Sequence, residues 1–105
     1  MKWQAAPAFE ADLRRLTARE LELFRTVVRE QFAIAADRFV AAPSAGWPAK
    51  LRVRRVRGAP GVWEMTWSFS GPDGRATFEW VEVDGEPAIR WRRVGGHEIF
   101  RAPDR

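Results

Sequence analysis

The sequence predicts an α+β domain in which an N-terminal helical hairpin packs on an antiparallel sheet of three to five strands. Three observations predict it. Apolar residues recur at helical spacing through residue 42 and then at alternate positions beyond residue 50. The turn sequences "SGPDG" and "VDGEP" separate the alternating runs. At 105 residues, 46% of them hydrophobic, the chain has material for a single core, so one domain over residues 1–105 is expected.

The elements follow in order. "KWQA" reads as a short first strand at a sheet edge. "PAFEADLRRL" places Pro7 at a helix start and Phe9, Leu13 and Leu16 at helical spacing. "TARE" sets Thr17 three residues before Glu20, the pattern of a capping box that opens a second helix. From there Leu21, Phe24, Val28, Phe32, Ala35 and Phe39 form one apolar stripe, with Arg19, Arg25, Arg29 and Arg38 off it. "APSAGWP" ends the helix with two prolines and a glycine. "KLRVRRV" alternates Leu51 and Val53 with Arg52 and Arg54, a basic strand that "GAPG" joins to the next. In "VWEMTWSF" the residues Trp63, Met65, Trp67 and Phe69 alternate with Glu64, Thr66 and Ser68, the pattern of a half-buried strand. "RATFEWVEV" puts Phe78 and Trp80 on one side, and "AIRWRRV" turns Ile89 and Trp91 inward. Trp63, Trp67, Trp80 and Trp91 are therefore read as core.

The charge is uneven. The net charge is +4, carried by 16 arginines and two lysines against 14 acids. Through residue 42 there are seven basic and six acidic residues, so the excess lies downstream. "KLRVRRVR", from Lys50 to Arg57, holds five basic residues and no acid, and Arg90, Arg92 and Arg93 form a second cluster. Such clusters suit an anionic partner, because the guanidinium fork binds phosphate oxygens in pairs. They equally suit the solvated outer face of a strand. The chain has no cysteine, which removes disulfides and thiolate metal sites, and its single histidine is a poor basis for zinc. No metal and no cofactor are expected. The charged N-terminus and the lack of a long apolar run predict a soluble cytoplasmic protein with no membrane partner.

The order of these elements, and above all the run "LRVRRVRGAPGVWEMTWSFSGPDGRATFEW" and the ending "IRWRRVGGHEIF", resembles the RelE/ParE superfamily of type II toxin–antitoxin toxins. The resemblance spans almost the whole chain, with residues 50 to 100 the distinctive part. It implies a RelE-like fold and a cognate antitoxin as partner. That antitoxin would cover the basic face with an acidic, partly disordered segment. For the RelE branch it implies a ribosome-dependent mRNA endonuclease, with ribosome and mRNA as partners. For the ParE branch it implies a non-enzymatic inhibitor of DNA gyrase. The concentrated arginines and the C-terminal histidine favour the first.

Site residues are carried over on the same ground. Metal-free RNA cleavage needs a base for the 2′-hydroxyl, cations for the charged phosphorane and an acid for the leaving oxygen. Arg75, opening the strand after the hairpin, corresponds to a phosphate-binding arginine of the nuclease members. The bland alternative is a residue flanking a turn. His97 corresponds to the C-terminal region in which members carry a catalytic histidine or tyrosine, and otherwise reads as a surface residue beside "GG". Glu64 is either the base or the ion-pair partner of a neighbouring arginine. Lys50, Arg52, Arg54, Arg55, Arg57 and Arg93 are the expected RNA- and phosphate-binding set, with Arg55 and Arg57 nearest the cleft by analogy. Phe100 lacks the hydroxyl that many relatives have near this point, and either stacks on a base or packs.

Overall fold

A computed structural model describes residues 1–68 and 73–96. Its strands are β1 (Lys2–Ala5), β2 (Arg54–Arg55), β3 (Val62–Ser68), β4 (Asp73–Val83) and β5 (Glu86–Gly95), joined in one sheet of order β1-β5-β4-β3-β2. β2 to β5 run antiparallel to their neighbours, as the alternation predicts, whereas β1 lies parallel on β5, so the sheet is mixed. The helical connection delivers β2 antiparallel to β1, and the three reversals from β2 to β5 bring β5 back into the direction of β1.

The helices are α1 (Pro7–Leu13), α2 (Ala18–Val27) and α3 (Ala33–Ala41). The capping box closes at α2: Thr17 N–H donates to Glu20 Oε1 at 2.9 Å and Glu20 N–H to Thr17 Oγ1 at 3.1 Å. A π-helical turn, Val28–Phe32, joins α2 to α3 without a break. Apolar residues spaced by four drift about 40° per step around an α-helix. The wider turn absorbs that drift, so that Phe24, Phe32 and Ala36 are all buried against the sheet. No helix among the described residues is long and apolar enough to cross a membrane.

The core lies between the helices and one face of the sheet. Phe32 packs edge-on to Phe78 and tilted to Trp91, and Phe24 meets Trp67 and Trp91. Phe39, Trp47, Trp63 and Trp80 form a second aromatic group at the β3 end. Trp47, unassigned by the sequence, thus belongs to the core.

Two expectations fail locally. The basic strand shrinks to Arg54 and Arg55, because Ala49–Leu51 form a 3₁₀ turn that ends in Arg52 with φ of 46°. A left-handed residue breaks the alternation that "KLRVRRV" suggested. The β3 strand is buried on both faces: Glu64 and Thr66 are as enclosed as Met65 and Trp67. At the β4–β5 hairpin, Asp84 and Gly85 both take positive φ, 53° and 78°, as a type I′ turn requires.

Candidate active site on the polar face of the sheet

The face turned away from the helices is polar, and the strand register decides who shares it. Directly opposed residues of antiparallel strands project to the same side. Arg54 opposes Glu64, Glu64 opposes Thr77, and Thr77 opposes Arg93, so one rung of four polar side chains crosses β2, β3, β4 and β5. Three strand spacings make that rung roughly 14 Å wide. On the next rung Thr66 opposes Arg75, which opposes Gly95. Gly95 itself contributes no side chain to that rung.

A bulge sets this arrangement. Thr77 pairs with Arg93 but Phe78 pairs with Trp91, leaving Arg92 as the extra residue of β5. Strict alternation from Ile89 and Trp91 would turn Arg93 into the core. The extra residue moves Val94 there instead and sends Arg93 to the polar face.

Ion pairs hold the face together. Glu64, 3% exposed in its side chain, accepts from Arg54 Nε through Oε1, while the Arg54 side chain is 71% exposed and lies on its solvent side. Asp12 of α1 is a buried carboxylate that accepts from Arg93 Nε at 2.7 Å, Arg93 Nη2 at 3.1 Å and the Val94 N–H at 3.0 Å. β1 covers the β5 edge up to Trp91, and Asp12 satisfies the next free edge donor that its helix reaches. Arg90 and Arg92 both donate to Glu79 Oε2 at 2.9 Å.

The sequence-predicted residues therefore separate. Glu64, Arg75, Arg54 and Arg93 are brought to one face. Arg55 goes to the other, opposing Trp63 and lying 5.1 Å over its ring. Arg52 pairs with Asp73 at 3.1 Å. Arg57 is exposed in the turn before β3, and neither it nor Lys50 has a side-chain ion pair among the described residues. Lys50 instead lines a groove of about 380 Å³ beside Gln31, Ile34, Arg38 and Trp47, on the helix side. A second groove, about 450 Å³, lies between Trp3 and α2 and is also remote from the polar face. His97 and Phe100 lie outside the described residues. The sequence reading missed Thr66, Thr77 and Asp12. The first two alternate with core residues, but only the register shows them beside Glu64 and Arg75.

Two solved structures share this architecture. The toxin RelE of E. coli, an arginine-to-alanine double variant in the free state, superposes with a TM-score of 0.56 at 14% identity. The match covers 95% of this chain and 90% of that one. The YoeB/ParE toxin from Agrobacterium tumefaciens also gives a TM-score of 0.56, at 17% identity over 92% of this chain and 99% of that one. The chain has the RelE/ParE toxin fold. No family model matches the sequence, and no curated protein matches it. At such identities the RelE/ParE likeness concerns the backbone arrangement, and the roles of side chains rest on their own geometry.

Proposed function

We propose that the protein is the toxin of a type II toxin–antitoxin module and a ribosome-dependent mRNA endonuclease. The observation that carries this reading is the shared polar face of Glu64 and Arg75, on a RelE/ParE toxin fold, with Arg54 and Arg93 closing the rung on either side. Arg75 binds the scissile phosphate, where a guanidinium fork can hold two oxygens at once. Glu64 takes the proton of the 2′-hydroxyl as O2′ attacks phosphorus. The P–O5′ bond breaks, His97 protonates the departing oxygen, and a 2′,3′-cyclic phosphate remains. His97 stands two residues beyond Gly95, the register partner of Arg75. Positioned proton transfer is worth about 10²–10⁴-fold per group, and a preorganised cation at the phosphorane adds a few kcal/mol more. Lys50 and Arg57 supply long-range attraction to RNA, Phe100 stacks on a base or packs, and no cofactor takes part.

An acidic antitoxin segment is the expected partner, and the cytoplasm, where ribosomes are, is the expected compartment. The test is inducible expression of the wild type and of His97→Ala with mapping of new 5′ ends on cellular mRNA. Cuts within translated regions that vanish in the variant support the nuclease. Growth arrest by both proteins without new cuts refutes it, and directs the search to gyrase.

A further inference from the structure

The polar face holds two oxygen atoms that the described residues leave unmet. Glu64 Oε2 and Thr77 Oγ1 are both shielded from solvent and have no hydrogen-bond partner. Their residues are 2% and 0% exposed. They also oppose one another across β3 and β4, so their Cβ atoms stand about 4.5–5.5 Å apart on one face. On the far side of Thr77, Arg93 turns its Nε and Nη2 to Asp12. On the far side of Glu64, Arg54 engages only Oε1. The two orphans thus stand on neighbouring strands of one face, and no other described side chain meets either atom.

Their chemistry defines what fits between them. An ionised carboxylate oxygen only accepts, whereas a threonine hydroxyl can donate. A single hydroxyl group satisfies both, giving its proton to Glu64 and accepting from Thr77. Valine would fill the Thr77 site without an orphan, since it differs only by methyl for hydroxyl. We infer that Glu64 Oε2 and Thr77 Oγ1 form a receptor for one hydroxyl group, the ribose 2′-hydroxyl of the nucleotide whose phosphate Arg75 binds. This rests on the nuclease reading above and adds Thr77 to it. Arg54, long and exposed, lies over the carboxylate, and its exchange of Glu64 for a substrate phosphate opens the way in. The Thr77 hydroxyl donates to one lone pair of O2′ and so holds its proton toward Glu64, while another lone pair attacks phosphorus as that proton leaves. Deoxyribose offers nothing to the receptor, so the same pair selects RNA over DNA.

The experiment uses the full chain with ribosomes carrying mRNA, and compares the wild type with Thr77→Val and Thr77→Ser for cleavage rate and thermal midpoint. Thr77→Val is expected to lower kcat by roughly 10²-fold, as misplacement of a reacting group does. Its Tm should equal or exceed that of the wild type, because the hydroxyl it removes is unbonded. Thr77→Ser should recover most of the rate. Wild-type cleavage by Thr77→Val overturns the receptor while leaving the nuclease reading intact. A Tm lower by several degrees also overturns it, since the hydroxyl is then already bonded within the protein, by a trapped water for example. A wild type that cuts nothing removes the 2′-hydroxyl assignment together with the nuclease reading.

Discussion

Replacing Asp12 with alanine should remove a large share of this protein's stability. The carboxylate receives Arg93 through two N–H groups and the Val94 backbone N–H, with Arg15 Nη1 at 3.5 Å on its outer side. The Asp12 and Arg93 side chains are 5% and 14% exposed, so solvent screens the pair little. Alanine takes the carboxylate from a largely buried guanidinium and from a strand-edge donor, and breaking a buried pair costs about 3–5 kcal/mol. A domain of this size is stable by about 5–15 kcal/mol, so the loss is a large share of the total. At roughly 4 °C per kcal/mol the midpoint should fall by about 12–20 °C. Urea unfolding followed by tryptophan fluorescence measures it, with the slope unchanged if the transition stays two-state. The companion is a double variant, Asp12→Leu with Arg93→Met, which removes both charges at similar volume. It should be less damaging than Asp12→Ala alone, because both charges of the pair leave together. A loss below about 1 kcal/mol for Asp12→Ala, or simple additivity in the double variant, would refute the claim that this ion pair pins α1 to β5.

Other outcomes follow from the same geometry. Phe78→Ala empties a fully buried position between Phe32, Trp63 and Trp91 and should cost about 3–5 kcal/mol in urea unfolding. Thr17→Ala removes one half of the capping box and should cost about 1 kcal/mol, read as a small fall in Tm. Gly85→Ala meets no steric neighbour, so any loss reports backbone strain alone, about 1–2 kcal/mol at φ of 78°. Lys50→Ala and Arg57→Ala should each reduce the salt slope of RNA binding by about one. Arg90→Ala should change that slope less, because its guanidinium is held by Glu79.

Much of the architecture is legible in the residue pattern, for reasons of local chemistry. Helix and strand periods differ, so the stripe from Leu21 to Phe39 and the alternation at Trp63, Met65 and Trp67 declare their elements without help. Thr17 with Glu20 and Asp84 with Gly85 punctuate them, because capping and positive φ depend on the residues themselves. The same patterning shows that one sheet face packs apolar groups and the other carries charge. It does not show how strands align, since register is a relation between segments distant in the chain. The approach of Glu64 to Thr77, the bulge at Arg92 that turns Arg93 outward, and the reach of Asp12 across 81 residues are therefore decisions of the tertiary structure. So is the fate of the basic run: a left-handed Arg52 shortens the strand, and pleating then sends Arg54 to Glu64 and Arg55 to Trp63. Five positive charges within eight residues look alike in a sequence. Only the fold separates those that pair with carboxylates from those that face solvent, because the partners come from other strands.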